Sequence, residues 1–315
     1  MSAPVSRRLS AREELSQLSW FLRREARPRR LSQWARVRRG VELPHLRRSA
    51  RVPGSVWAVT MVRDELDILP WVLEHLLEQG VNHLLVADNG SKDGTAEYLL
   101  ELASREPRLH VAFDHVTAYY QDVKMTNLAL AAGRAGADWI VPFDADELWF
   151  SRTGSLAQTL RELDADVIGA DWYDMVLLDD GAISARSTFL MDATPNHMGK
   201  VAYRFHPRAG LGIGNHQVAR VGAHAVERLA VAHARYRTVE QAARKFRQGA
   251  QAVASAALGG TAAIHWTRGA AAEDAELAAA WTRVRSGRPE PLLDWFARGP
   301  METVEPLSWE RWPTS

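Results

Sequence analysis

Cysteine is absent from all 315 residues. That removes disulfides, thiolate zinc sites and cysteine nucleophiles, and it suits a reducing compartment. Long apolar runs are missing as well. A stretch such as Ala250–Leu258 falls far short of the ~20 residues that cross a bilayer. The first residues carry no apolar core of the kind that marks a secretory leader. No excess of one charge exists either, since 39 basic and 38 acidic residues leave a net +1.

That near-neutral sum hides a separation. Residues 1–51 hold fourteen arginines, no lysine and four glutamates, a balance of +10, so residues 52–315 carry −9. A basic head and an acidic body are expected to do different work. In the head, Leu15, Leu18 and Leu22 fit one helical stripe flanked by Arg12 and Arg23. Two readings stay open: an amphipathic helix resting on an anionic membrane surface, or an extension packed on the body or a partner. Nucleic acid is not an expected partner, because no reader motif accompanies the charge.

What remains is a globular composition, 46% apolar and 24% charged, in a chain long enough to bury a sizeable core. Pro53-Gly54 closes the head, and a regular alternation follows. Val56–Val62, His83–Ala87, His110–Phe113 and Trp139–Phe143 read as strands, separated by helices over Leu66–Gln79, Thr95–Arg105 and Gln121–Ala135. Strand–helix repetition at this spacing predicts a parallel, doubly wound α/β sheet. A helix over Leu156–Leu163 and a strand over Val167–Tyr173 come next. Residues 174–232 show no clear period, and Thr238–Leu258 reads as a helix opening a helical C-terminal region. The expected units are a basic extension over 1–52, a catalytic domain over 53–235, and a helical region over 236–315.

In open parallel sheets, ligands bind outside the carboxyl ends of the strands. Here those ends are polar: Arg63-Asp64-Glu65, then Asp88 to Thr95, then Asp144-Ala145-Asp146-Glu147. Two carboxylates one residue apart at a strand end can share a hard divalent cation. Its remaining coordination positions then go to diphosphate oxygens and water. Such a cation neutralises a departing diphosphate as a Lewis acid. Asp88 begins a glycine-containing turn that also reads as a helix cap; directly after its strand, it could instead bond a base or ribose. Gly210, Gly212 and Gly214 do not sit in a strand–turn–helix unit, so GLGIGN reads as a flexible loop and not as a dinucleotide fingerprint.

The stretch VTMVRDELDILPWVLEHLLEQGVNHLLVADNGSKDGTAEYL, followed by DWIVPFDADELWF, resembles a family 2 glycosyltransferase of the GT-A fold. It is similar to the subgroup whose acidic motif reads D-x-D-E followed by an aromatic, and LAVAHARYRTVEQAARKFRQG resembles that subgroup too. The family's Asn-Glu after the first strand is Asp64-Glu65 here, and the aromatic is displaced to Trp149. The resemblance implies a metal-dependent, inverting hexosyltransferase of cell-surface or secreted glycan synthesis. It would use Mn²⁺ or Mg²⁺, a nucleotide-sugar donor, UDP-linked by expectation, and a hydroxyl acceptor.

By the same resemblance Asp88 contacts the nucleotide, Asp144 the ribose or the metal, and Asp146 the metal. Arg63 and Glu65 lie at the donor, and His233 is a candidate further ligand, ahead of His216. Inversion by direct attack needs a general base. Glu147 is the first candidate, with orientation of Asp146 or a loop amide as its alternative role; Asp171 and Asp192 are weaker candidates. The expected location is the cytoplasm, at the inner face of the membrane if the head docks there. Two rivals stand beside this reading. One is a haloacid-dehalogenase-type phosphatase, although that acidic motif ends a first strand and is followed by a small hydroxyl residue, where this chain has Leu148. The other is an inactive GT-A scaffold at a membrane surface.

Overall fold

The computed structural model describes residues 7–8, 10–256 and 264–313. Residues 1–6 and 9 of the basic head and the last residues of the helix expected over 238–258 lie outside them.

The head opens with β1 (Arg7–Arg8) and two helices, α1 (Ala11–Glu25) and α2 (Pro28–Gly40), before β2 (Val41–Glu42). Ser10 and Glu13 form a reciprocal capping box at the start of α1, satisfying amides that the first turn leaves orphaned. Pro28 is tolerated in the first turn of α2, where its missing N–H costs nothing.

Then the alternation expected from the sequence runs as β3 (Val56–Val62), α3 (Leu69–Glu78), β4 (His83–Asp88), α4 (Thr95–Arg105), β5 (Leu109–Asp114), α5 (Gln121–Arg134) and β6 (Trp139–Pro142). These four strands are parallel, in the order β5-β4-β3-β6. Strand β3 is apolar nearly throughout because both faces of the sheet are covered. Val56, Ala58 and Val62 join a core with Leu69, Val72, Leu73 and Leu76 of α3; Trp57 and Val59 join a second core with Val123 and Leu128 of α5. Each fully buried leucine or valine of α3 is worth ~1.5–3 kcal/mol against exposure.

Beyond β6 the sheet becomes mixed, mostly antiparallel. β7 (Glu147–Ser151), α6 (Leu156–Glu162), β8 (Val167–Leu177), β9 (Phe189–Asp192), β10 (Asn196–Arg204), β11 (Gly210–Leu211), β12 (Val218–Ala219) and β13 (Ala223–Tyr236) follow. Thus 174–232, read as aperiodic, contains much of the sheet. β10 pairs with β6 and β8, while β13 runs parallel to β8 and antiparallel to β7. The chain closes with α7 (Val239–Ser255), α8 (Ile264–Ala271), α9 (Asp274–Arg285) and β14 (Met301–Val304), the last paired with β9. Among the described residues the main sheet has twelve strands.

The strand order reverses between β3 and β6, and such a switch point opens a crevice at the carboxyl ends. Helix α7 lies over that edge, with Arg244 donating to the Asp64 carbonyl at 3.2 Å and Tyr119 N–H donating to the Ala252 carbonyl at 2.9 Å. The basic head packs on the body as well. Arg24 and Arg30 both reach Asp122, in the first turn of α5, and Val37 is fully buried. Leu15 and Leu22 stay exposed.

Candidate active site

The β3 and β4 turns are stitched together. Asp64 adopts φ 55, a left-handed conformation that aspartate tolerates better than most residues. Its amide donates to Ser91 Oγ at 2.9 Å, and its Oδ1 accepts from the Lys92 amide at 2.5 Å. Gln248 of α7 donates to its other oxygen. Gly94 caps α4 with φ 97, which costs glycine little.

Asp88 has two different oxygens. Oδ2 accepts from the amides of Gly90 and Ser91 at 3.0 and 3.2 Å, which holds the turn. Oδ1 is buried and has no hydrogen-bond partner, an arrangement proteins rarely leave without a reason.

The acidic motif is bound up with cations. Lys200, from β10, places Nζ 2.8 Å from Asp144 Oδ2 and 2.6 Å from Glu147 Oε1, and also donates to the Gly214 carbonyl at 2.8 Å. Asn215 donates to Asp144 Oδ1 at 3.1 Å. The GLGIGN segment is therefore no flexible loop: β11 and a short 3₁₀ turn hold Asn215 fully buried. Lys245 of α7 donates to Asp146 Oδ2 at 2.6 Å, with Arg237 Nη1 at 3.6 Å from the same oxygen. His233 lies between two carboxylates, 3.4 Å from Asp146 and 2.9 Å from Asp174. Arg237 is fully buried and also pairs with Glu65 and Asp67.

These contacts fix the charges. Burial pushes Asp146 up, but Lys245, His233 and Arg237 outweigh it and hold the carboxyl well below the usual range. Burial opposes the His233 proton, and Asp146 and Asp174 more than offset that. Lys200 is likewise raised despite burial, by Asp144 and Glu147. The chain has only four lysines among its 39 basic residues. Three of them pair with buried or motif carboxylates: Lys200, Lys245, and Lys124, which reaches Asp114 at 2.6 Å. That scarcity was the sequence signal for these residues, which pattern reading missed.

Glu147 is fully buried. Its Oε2 accepts from the Asp144 amide at 3.0 Å and from Trp149 Nε1 at 3.3 Å, while Oε1 faces Lys200. This geometry holds the motif turn, while burial, only partly offset by Lys200, pushes the Glu147 carboxyl up to about 7. Asp144 is the accessible motif carboxylate, its side chain 31% exposed against 3% for Asp146. Asp192 accepts the amides of Thr194, Arg298 and Gly299, a turn-holding role, and Asp171 pairs with Arg152 at 2.6 Å. His216 is bonded to the Gly199 carbonyl at 2.7 Å, its ring 5.1 Å from Trp172.

The expected metal trio does not form an open site. Among the described residues, no three His, Asp or Glu side chains form a group that could hold a metal ion. The oxygens of Asp144 and Asp146 already face Asn215, Lys200, His233 and Lys245. A hard cation seeks free oxygen ligands, and this donor set supplies ammonium groups instead.

In front of the β3 turn lies a cavity lined by Arg63, Asp64, Glu65 and Asn89 on the sheet side. Opposite are Gln241, Arg244, Lys245 and Gln248 of α7, and Tyr119 and Trp266 complete the wall. Gly249 lets the Trp266 ring pack against α7, since a Cβ there would meet that ring at 2.4 Å. The cavity thus combines aromatic and cationic side chains in one lining.

Solved structures with some likeness to the chain include S. aureus TarS 1-349 in complex with UDP-GlcNAc, with TM-score 0.36 and 11% identity over 68% of this chain and 70% of that one. Another is the mannosyltransferase PcManGT from Pyrobaculum calidifontis in complex with GDP-Man and Mn²⁺, with TM-score 0.34 and 13% identity over 88% of this chain and 85% of that one. No curated protein matches the chain. Residues 57–176, which run from β3 into β8 and include the acidic motif, match the family described as Glycosyl transferase family 2.

Proposed function

We propose that the chain is a nucleotide-sugar glycosyltransferase that moves a hexose from a UDP-linked donor to a hydroxyl acceptor. The observation that carries this reading is the cavity at the switch point, with Tyr119 and Trp266 to take a base and Arg63 to meet phosphate. The family 2 match over residues 57–176 adds to it. The unpartnered oxygen of Asp88 suits a ribose or base donor at the neighbouring strand end.

The transfer is a direct displacement with inversion. The acceptor oxygen bonds to the anomeric carbon from the face opposite the leaving group, and its proton passes to a base. The bond from that carbon to the diphosphate oxygen breaks, its electron pair staying on oxygen. Asp144 is part-exposed at the strand end; Glu147, fully buried, sets the turn through the Asp144 amide. Fixed charges aimed at the leaving group lower the barrier because they need no reorganisation during reaction. A Mn²⁺ or Mg²⁺ ion would have to displace Lys245 from Asp146 and share Asp144 with Lys200, so the reading does not depend on one. A phosphatase nucleophile fits poorly, since both oxygens of Asp144 are engaged and the motif follows β6, at the fourth position in the parallel order.

A thermal-shift screen against nucleotide sugars tests this. A ligand at a hundred times its dissociation constant adds ~2.7 kcal/mol of stability. Stabilisation by none of them contradicts the reading.

The head supports a second, separate proposal, docking on an anionic membrane surface at the cytoplasmic face. Leu15 and Leu22, seven residues apart on α1, are 67% and 53% exposed, in a head that carries fourteen arginines, and exposed apolar residues beside basic charge suit an interfacial segment. No helix among the described residues is long and apolar enough to cross a membrane.

A further inference from the structure

The side chains of Gln241, Arg244, Lys245 and Gln248 recur at the spacing of one helical face, and all four line the cavity from α7. Facing them across the cavity is Arg63, whose Nε is buried without a hydrogen-bond partner. Among the described residues Arg244 bonds a main-chain oxygen on the cavity's far wall, the Asp64 carbonyl, and its charge meets no carboxylate at that contact. Lys245 is engaged by Asp146, but its side chain is 25% exposed and lines the cavity. Arg237 stands behind, fully buried, so Asp146 is not left uncompensated if Lys245 turns toward a ligand. The negative groups on the same wall are already committed: Asp64 to Gln248 and the Lys92 amide, Glu65 to Arg237.

We propose that Arg63, Arg244 and Lys245 form a clamp for the donor's diphosphate, supplying the positive charge that the acidic motif would otherwise gather through a divalent cation. The proposal rests on the nucleotide-sugar reading above. In the transfer step the clamp holds the diphosphate oxygen on which the electron pair of the broken bond settles. Arginine suits that work, because its planar fork meets phosphate oxygens two at a time. The motif carboxylates keep a different task. Asp144 and Asp146 hold Lys200 and Lys245 in place, so the acidic turn positions cations instead of capturing one from solution.

The test is calorimetric titration of the full chain with UDP and with GDP, once in excess EDTA and once in excess Mn²⁺. The clamp predicts dissociation constants for the bound nucleotide that agree within about threefold between the two buffers. Arg244→Gln and Arg63→Gln should each weaken binding about tenfold or more in both, the scale of ~1.4 kcal/mol, with melting temperatures unchanged. Arg244→Lys should recover part of the loss. Among the described residues Arg244 forms no carboxylate pair and Arg63 only a long one, 4.0 Å from Asp64 Oδ2, so these variants fold where Lys245→Met risks not doing so. Binding that appears only with Mn²⁺ overturns the clamp and leaves the donor reading standing. Metal-free binding indifferent to both arginines also overturns it. If neither nucleotide binds in either buffer, the clamp falls together with the donor reading.

Discussion

Lys200 Nζ sits between Asp144 Oδ2 and Glu147 Oε1, at 2.8 and 2.6 Å, with its side chain 1% exposed. One ammonium group therefore bridges two carboxyl groups of the acidic motif. Removing it leaves buried negative charge without a partner, which costs about 3–5 kcal/mol. Lys200→Met is expected to lose stability on that scale in urea unfolding. A loss below about 1 kcal/mol would show that water reaches the pair.

Glu147→Gln distinguishes a positioning residue from a base. The amide keeps an oxygen for the Asp144 amide but loses the charge facing Lys200. The expected cost is about 1–3 kcal/mol of stability, with turnover retained to within about tenfold and its pH profile unchanged. An unaltered melting temperature with turnover down by orders of magnitude would return Glu147 to the role of base.

Acid sensitivity should come in part from His75. Its Nε2 donates to the Trp149 carbonyl at 2.8 Å, and burial lowers its pKa from 6.5 to about 4. Between those values the unfolded chain binds the proton and the folded one does not. Stability is therefore full above pH 6.5 and falls toward pH 4, by up to about 3 kcal/mol. Unfolding measured from pH 7 to pH 4 should show this loss, and His75→Gln should flatten it. An unchanged slope in the variant would assign the acid limb to other groups.

For the head, Leu15→Glu with Leu22→Glu should abolish binding to phosphatidylserine vesicles while leaving the melting temperature unchanged. Wild-type binding should weaken with salt, because charges are screened over about 8 Å at physiological ionic strength. Retained vesicle binding in the double variant would contradict docking through α1.

The parallel half of the sheet was legible because its strands are buried on both faces and so read as apolar runs, Val56–Val62 above all. The antiparallel half was not. β10 mixes exposed Met198 and His197 with buried Lys200, and β13 interleaves five small alanines with His, Arg and Glu among its 14 residues, so neither carries a clean period. The same limit applies to the site. Its carboxylates could be read from their place at strand ends, a local property. Their cations come from far along the chain, Lys200 56 residues from Asp144 and Lys245 99 residues from Asp146. No spacing rule joins such pairs, and only the folded sheet shows that the motif is already neutralised.

The central claim is that the crevice before β3, under α7, holds the donor. A crystal structure of the full chain with UDP and an unreactive UDP-sugar tests it most directly. The account predicts the base against Tyr119 and Trp266 and the diphosphate about 3 Å from Arg63 and the Arg244–Lys245 face, the usual N–H···O length. A nucleotide seated elsewhere on the molecule, or a diphosphate turned away from those three side chains, would contradict it.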